Sequence, residues 1–66
     1  MPKNKEFHII TRRGFFCQPE RLAGYSFPMS LDASYQGATV YFSKLFAQKA
    51  IKFYKLGKDC FVEERN

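Results

Sequence analysis

The sequence holds few side chains that could perform acid–base or nucleophilic chemistry. His8 is the only histidine, and Cys17 and Cys60 are the only cysteines. A thiol nucleophile needs a base within hydrogen-bonding reach. In the hairpin predicted for this region, Ile9 rather than His8 lies opposite Cys17, so the thiol and the imidazole would point to opposite faces. We therefore expect His8 to be a surface strand residue and expect no nucleophilic catalysis.

Carboxylates and glycines add no catalytic pattern. Glu63 and Glu64 are adjacent in a predicted strand, so their carboxylates would lie on opposite sides. One histidine, two distant cysteines and scattered acidic residues do not form a metal-ligand set at a recognisable spacing. The four glycines are too far apart to form a phosphate-binding loop. We expect a protein with no catalytic residues, metal or cofactor, and therefore not an enzyme.

The cysteines and the apolar pattern also bear on the cellular compartment. Two cysteines this far apart are typical of reduced, half-buried thiols, with a single disulfide as the alternative. No apolar run approaches the roughly 18 residues that a membrane span needs. No apolar segment follows the basic residues of 1–6, as it would in a signal peptide. The sequence predicts a cytoplasmic protein without a membrane partner.

Charge is the most informative feature of this 66-residue chain. Lys and Arg number 11 against 6 Asp and Glu, which gives a formal net charge of +5. From Ala33 to Lys58 there is no acidic residue, and the lysines of this stretch are Lys44, Lys49, Lys52, Lys55 and Lys58. Solvated helix faces usually mix both signs, because Glu–Lys pairs one turn apart add stability. A face without acidic partners attracts polyanions or an acidic protein surface, unless Glu20, Glu63 or Glu64 neutralises it in three dimensions.

Arginines and aromatic residues are further candidates for binding. Arg12 and Arg13 lie in a predicted hairpin loop, where guanidinium groups can reach phosphates or carboxylates, although a hairpin tip also simply tolerates charge. The aromatic residues are more numerous than a small core seems to need. We expect four of them in the core: Phe42, Phe46, Phe53 and Phe61. We expect three to be exposed for base stacking or protein contacts: Tyr25, Tyr35 and Phe16.

The strongest predicted element is a helix that ends at Gly57, a fitting C′ residue. At 100° per residue, one wide arc is apolar and contains Phe42, Phe46, Ala47, Ala50, Ile51, Phe53 and Tyr54. The opposite side contains Lys44, Gln48, Lys52 and Lys55. The start is open. The helix begins near Ala38, which we favour, or it follows an N-cap at Ser43, with residues 38–42 as a strand before it.

The remaining segments predict short strands and turns. Residues 6–18 predict a β-hairpin around Arg12, Arg13 and Gly14. Residues 19–24 predict one helical turn, with Pro at its start and Gly after its end.

Three further segments complete the predicted fold. Residues 25–30 are expected to be extended or irregular, residues 31–37 show no clear period, and Asp59–Glu64 predicts a final strand. The order ββαβ predicts a single α+β domain, with a three-stranded, mainly antiparallel sheet packed on one amphipathic helix. Residues 1–5 are expected to form a flexible basic arm.

Two function hypotheses follow. The first is a small regulatory protein that covers the working surface of a macromolecular partner with an acidic surface, as inhibitors and antitoxins do. Size, basicity and outline are typical of such accessory proteins of phages and plasmids. The second is a binder of RNA or single-stranded DNA, with the lysine face and the Arg12–Arg13 tip on phosphates. No RNA-recognition, KH or helix-turn-helix motif is present. A short edge strand at 59–64 could also pair with a second copy.

Overall fold

The N-terminal hairpin is present, in a register one residue away from the expected one. In the computed structural model, which describes residues 5–65, strand β1 covers Phe7–Ile10 and strand β2 covers Phe15–Cys17. The last residue of β1 pairs with the first residue of β2. Continued along the hairpin, this register places Phe16 beside Ile9. A shift of one residue exchanges the two faces of a strand, so Phe16, which the sequence predicts to be exposed, is fully buried.

The helical turn predicted for residues 19–24 is wrong, because this segment is extended. Strand β3 covers Glu20–Leu22 and strand β4 covers Tyr25–Phe27, and the two pair antiparallel as a separate two-stranded sheet. Ala23 and Gly24 form the turn with φ of 46° and 86°. Positive φ values at both loop residues are characteristic of a type I′ hairpin turn. The expectation of an extended segment after residue 24 is confirmed.

Two more strands complete the main sheet. Strand β5 covers Ser30–Ala33 and strand β6 covers Phe61–Glu64. The strand order is β5-β2-β1-β6, with antiparallel neighbours throughout. The chain is therefore a small α+β domain with an antiparallel sheet and one helix, but the sheet has four strands instead of three. The sequence analysis missed β5 because its residues show no period, and its pairing with β2 contains an irregularity.

Glycine is required at the end of the first hairpin loop. Gly14 has a φ of 148°, which disfavours residues with a side chain. A Cβ atom there would lie 3.2 Å from the Ala33 carbonyl oxygen and 3.2 Å from Asp32 Cα. The loop can approach β5 this closely only because position 14 has no side chain.

Helix α1 is shorter than the favoured prediction at both ends. It covers Lys44–Phe53, and the Ser43 hydroxyl accepts a 3.2 Å hydrogen bond from the Leu45 N–H as the N-cap. The favoured start near Ala38 is wrong, and the alternative start at the serine is confirmed. The strand that this alternative places before the cap reduces to a single backbone bridge between Tyr41 and Phe7.

The C-terminal end of α1 differs from the prediction because Lys55, not Gly57, takes the C′ position. Lys55 has a φ of 55°, and its N–H bonds the Lys52 carbonyl at 3.2 Å. The N–H of Leu56 bonds the Ile51 carbonyl at 3.0 Å. These two bonds form a Schellman motif. The expectation that glycine fills this left-handed position is wrong, and a lysine carries the cost of that conformation.

The core lies between α1 and the β1–β6 half of the sheet, and small helix residues form it. Ile9, Phe16, Ala47 and Ala50 are buried together, and Val62 packs against them. The predicted core phenylalanines are more than half exposed: Phe42, Phe46, Phe53 and Phe61. The two alanines let the helix lie close to the sheet, so the phenylalanines of α1 at the border of the apolar arc turn outward.

Candidate functional site

The outer side of α1 carries exposed apolar and basic side chains in one patch. At 100° per residue, an arc of about 120° on the helix surface contains Leu45, Phe46, Lys49, Lys52 and Phe53. Leu45, Phe46 and Phe53 are 58%, 61% and 77% exposed, and both lysines are exposed. We call these five residues the aromatic–lysine face. Phe42, also exposed, precedes the helix N-cap.

The lysines near this face have no acidic partner in residues 5–65. The salt bridges of this part of the chain are Lys5–Glu64 at 3.7 Å and Arg12–Asp59 at 3.4 Å, and the Glu63 carboxylate lies 3.1 Å from His8 Nε2. The carboxylates of Glu64, Glu63 and Asp59 therefore have partners other than the lysines of the helix. The alternative in which acidic residues neutralise the lysines in three dimensions is not observed among the described residues, and the exposed set comprises Lys44, Lys49, Lys52, Lys55 and Lys58.

The arginine tip lies beside the end of the helix. Arg12 and Arg13 are exposed, and the Arg12 guanidinium pairs with Asp59. Both arginines line a shallow cavity of about 160 Å³ together with Leu56 and Cys60. The structure thus brings the tip next to the segment that follows α1, close in sequence to Lys55 and Lys58. Lys5, the described residue of the predicted basic arm, pairs with Glu64; residues 1–4 lie outside the described part.

The two predicted tyrosine anchors have different surroundings. Tyr25 is 70% exposed in β4. Tyr35 is also exposed, but the Arg65 guanidinium lies 4.0 Å from its ring centre, and its ring meets His8 and Phe15 edge-on at 5.6 Å. The predicted exposure of both residues is confirmed. The contacts of Tyr35 show that it also has a structural role.

His8 is buried, so its expected surface position is wrong. It is 1% exposed, with Nε2 3.1 Å from Glu63 Oε1 and Nδ1 3.4 Å from an Arg65 guanidinium nitrogen. A neutral imidazole with the proton on Nε2 satisfies both contacts, because it donates to the carboxylate and accepts from arginine. Arg65 also donates to the Tyr35 carbonyl at 3.1 Å. This group, the histidine cluster, consists of His8, Glu63, Arg65, Tyr35 and Phe15.

The sequence did contain a signal for part of this cluster. Strand alternation places His8 on the face opposite Ile9, and Glu63 on the face opposite Val62. The structure pairs His8 with Glu63 and Ile9 with Val62 across β1 and β6. Pairing the first and last predicted strands would have joined the imidazole to the carboxylate. Nothing in the local pattern identified which strands are neighbours.

Both cysteines are free and half-buried, as the sequence predicts. Cys17 donates to the Gln18 carbonyl at 3.7 Å, and Cys60 donates to the Leu56 carbonyl at 3.4 Å. Burial, and then the charge of Asp59, raise the pKa of the Cys60 thiol, which disfavours the reactive thiolate. The register of the first hairpin, continued to its end, places Cys17 beside His8, so the expectation that Ile9 lies opposite Cys17 is wrong. Both ring nitrogens of His8 contact other residues, Glu63 and Arg65.

Tyr41 carries a half-buried phenol with a raised pKa. Burial, followed by the neighbouring Tyr54 and Cys17, raises the pKa of Tyr41 to about 12. Its hydroxyl donates to Gln18 Oε1 at 3.0 Å. The side chain therefore holds residues 39–42 against the end of β2 in its neutral form.

The described residues offer no grouping of three or more His, Cys, Asp or Glu side chains around a common metal position. No helix among them has the length and apolar character to cross a membrane. Comparison with models of protein families, with curated proteins and with solved structures finds no match to this chain. The geometry of its own surfaces is therefore the basis for assigning a function.

Proposed function

We propose that this protein is a non-enzymatic regulator that binds an acidic protein surface stoichiometrically and occludes it with the aromatic–lysine face. The observation that carries the proposal is the exposure of Phe46 and Phe53 beside lysines without carboxylate partners in residues 5–65. Aromatic anchors within a rim of matched charge are the usual anatomy of a protein interface.

The apolar part of the face is large enough to anchor a partner. Leu45, Phe46 and Phe53 leave on the order of 350 Å² of apolar surface in water, given 150–250 Å² for a large side chain. This is within the range of the largest patch on a typical monomer, which is often functional. Burying it is worth about 9 kcal/mol before the costs of association.

The lysines define the chemistry of the partner. Lys49 lies between the two phenylalanines along the helix, and Lys52 flanks the second. A partner that covers the phenylalanines must present carboxylates to these ammonium groups, because a buried, unpaired charge opposes binding. The partner surface is therefore an apolar groove with an acidic rim, which accepts the exposed side of an amphipathic helix.

A nucleic-acid partner is the second candidate, and one observation favours it. Five exposed lysines have no carboxylate partner in the described chain, and exposed aromatic rings lie among them. Lysines that contact phosphates and rings that stack on bases would bind single-stranded RNA or DNA. This binding would depend mainly on charge, whereas binding through the aromatic–lysine face depends mainly on the phenylalanines.

Site-specific photocrosslinking separates the two candidates. A benzophenone amino acid replaces Phe53 in one preparation and Gln36, an exposed loop residue, in the control. We expect a single protein adduct of 1:1 stoichiometry in source cells from position 53 and not from position 36. Phe46→Ser should remove this adduct, because a central anchor contributes more than about tenfold in affinity. An adduct with RNA or DNA, or with lipid, would contradict the proposal.

Anisotropy with labelled single-stranded RNA, single-stranded DNA and duplex DNA is the complementary measurement. We expect no tight binding to any of them, and little difference between wild type and Phe46→Ser. Tight binding that falls steeply with salt, and that Lys52→Glu with Lys55→Glu abolishes, would establish the nucleic-acid function instead. The matched pair Lys49→Gln and Lys44→Gln then tests whether the affected lysines lie inside or outside the aromatic–lysine face.

A further inference from the structure

The two hydrogen-bond partners of His8 fix the protonation state of its imidazole. The Glu63 carboxylate, 3.1 Å from Nε2, can only accept a hydrogen bond while it is ionised. The Arg65 guanidinium, 3.4 Å from Nδ1, can only donate one, because arginine stays charged in proteins. The ring therefore carries its proton on Nε2 and leaves Nδ1 as an acceptor. A doubly protonated ring has two donors, so it can keep the carboxylate as a partner but not the guanidinium.

The His8 ring is 1% exposed, and the groups packed around it come from β2, the loop after β5 and the end of β6. They are Phe15 and Cys17 of β2, the second placed beside the ring by the hairpin register, together with Tyr35, Glu63 and Arg65. The ionic side chains of this set are the glutamate and the arginine, which have opposite signs. Protonation of the imidazole therefore strengthens the first contact and opposes the second.

Arg65 is the partner that can move away from the ring. Glu63 pairs with His8 in the β1–β6 ladder, so the sheet holds its carboxylate in place. Arg65 follows the end of β6, and its guanidinium also donates to the exposed Tyr35 carbonyl at 3.1 Å and lies 4.0 Å from the centre of the Tyr35 ring. Its backbone N–H bonds the Glu6 carbonyl at 2.7 Å. The side chain can therefore leave while the backbone ladder stays intact.

We infer that the histidine cluster is a pH-sensitive switch in which a proton on Nδ1 of His8 displaces the Arg65 side chain and uncovers Tyr35. Histidine is the side chain that ordinarily changes charge between pH 5 and pH 8. With the ring neutral, the switch is closed and the guanidinium covers one face of the Tyr35 ring. With the ring charged, two cations face each other across 3.4 Å, and the guanidinium turns to water instead.

Opening of the switch changes the surface that the sheet presents. The Tyr35 ring loses the guanidinium from its face and keeps its edge contact with Phe15. The open form then presents an aromatic ring beside a released guanidinium, and both groups are common in protein interfaces. This surface lies on the sheet face away from α1. The switch therefore does not depend on the function proposed for the aromatic–lysine face.

Nuclear magnetic resonance of isotope-labelled protein from pH 8 to pH 5 tests the switch. The ¹⁵N shifts of His8 report which ring nitrogens are protonated, and nuclear Overhauser effects between the Arg65 δ-protons and the Tyr35 ring report the closed state. At pH 8 we expect a proton on Nε2 alone, with these effects present. At pH 5 we expect both nitrogens to be protonated and the effects to disappear, while those between β1 and β6 persist.

Two variants separate the switch from a general effect of acid. In His8→Gln the amide can donate to Glu63 and accept from Arg65 but does not titrate, so the Arg65–Tyr35 effects should persist at pH 5. Arg65→Met keeps an unbranched side chain at the end of the chain and leaves the buried ring in place. Its Tyr35 signals should no longer follow the protonation of His8. Circular dichroism verifies that each variant is folded, and Arg65→Met serves alone if His8→Gln is not.

Photochemically induced nuclear polarisation of the tyrosines measures exposure without any substitution. The Tyr35 signal should rise relative to that of Tyr25, a 70% exposed reference, as the pH falls. A His8 ring that stays neutral at pH 5 would overturn the proposal, and so would an Arg65–Tyr35 contact that survives protonation of both ring nitrogens. Loss of this contact at pH 5 in folded His8→Gln would also overturn it, and would assign the change to Glu63.

Discussion

The sheet face away from α1 and the outer side of α1 differ in whether their polar side chains are paired within the chain. On the sheet face away from α1, His8 is 1% exposed and both of its ring nitrogens have partners. On the outer side of α1, Lys49 and Lys52 have no carboxylate partner in residues 5–65, and phenylalanines lie in water beside them. On the first face, the polar groups are paired with each other within the chain. On the second face, the lysines remain available to a binding partner.

This difference separates residues that hold the fold from residues that are free to bind. A buried polar group destabilises a protein when its partner is removed, so the histidine cluster should respond strongly to substitution in stability. Exposed side chains on the aromatic–lysine face contribute little to folding, so their substitution should change binding and leave stability nearly unchanged. Each prediction below tests one side of this contrast.

The largest expected effect is on the buried side. We expect His8→Ala to lower the free energy of unfolding by about 3 kcal/mol, because it removes a ring packed 4.7 Å from Phe15 together with two hydrogen bonds. Urea unfolding followed by circular dichroism measures this. Phe53→Ser is the control and should change the same free energy by less than about 0.5 kcal/mol. Equal losses of unfolding free energy in both variants would show that the buried and exposed faces do not differ in their contribution to stability.

Tyr41 extends the comparison to alkaline pH. Tyr41→Phe should cost about 1 kcal/mol at neutral pH through loss of the hydrogen bond to Gln18. The folded state holds the phenol proton up to a pKa of about 12, whereas the unfolded chain releases it near pH 10. Stability is therefore present below pH 10 and is lost as the pH rises toward 12.

The matched experiment compares stability from pH 9 to pH 12 in three proteins. Wild type should lose more than Tyr41→Phe over this interval, because only wild type carries the shifted phenol. Tyr25→Phe, which alters an exposed phenol, should follow wild type. Parallel curves for wild type and Tyr41→Phe would show that burial of Tyr41 does not contribute.

A smaller effect of opposite sign is expected at the end of α1. Lys55→Gly should raise the free energy of unfolding by about 1 kcal/mol, since glycine adopts the left-handed C′ conformation without the steric cost that lysine bears. Lys55→Ala removes the same charge and keeps that cost, so it should not stabilise. Thermal unfolding of the two variants side by side gives the answer, and equal stabilities would contradict it.

The smallest expected change in stability is at the solvent-exposed ion pair between Arg12 and Asp59. The side chains of Arg12 and Asp59 are 79% and 62% exposed, and pairs of this kind contribute about 0–1 kcal/mol. Asp59→Asn should therefore change the free energy of unfolding by less than about 0.5 kcal/mol, an effect that added salt reduces further. A loss comparable to that of His8→Ala would mean that pairing, rather than burial, distinguishes the two faces.

The sequence was a good guide where a local rule decides the structure. The hairpin around Gly14 and the final strand followed from β-branched and aromatic runs bounded by turn residues. In that strand Cys60 and Val62 pack toward the core, as alternation predicts, and the same rule applied to Phe61 would have kept it out of the expected core. The Ser43 cap also followed from its residue type, as one of two alternatives.

It was a poor guide where a distant neighbour decides. The side of α1 that faces the sheet is the one whose side chains allow the closest approach to β1 and β6. The small alanines allow a closer approach than the larger phenylalanines do. The burial of Phe16 depends on a one-residue register. The β3–β4 hairpin depends on a positive φ at Ala23, a conformation that alanine does not favour. For the site, the lysines were found from sequence, but the exposed phenylalanines beside them were assigned to the core.

The placement of β6 has a consequence for how the nascent chain becomes folded. β1 can pair with β2 as soon as the hairpin is made, but its other edge waits for a strand 55 residues away, at the spacing of His8 and Glu63. Helix α1 is synthesised in that interval, with half of the sheet it covers still missing. Until β6 docks, the chain thus exposes an open strand edge and an aromatic helix together, and both features promote aggregation. Such non-local pairing also slows folding, so the rate at which β6 docks should govern the yield of folded protein.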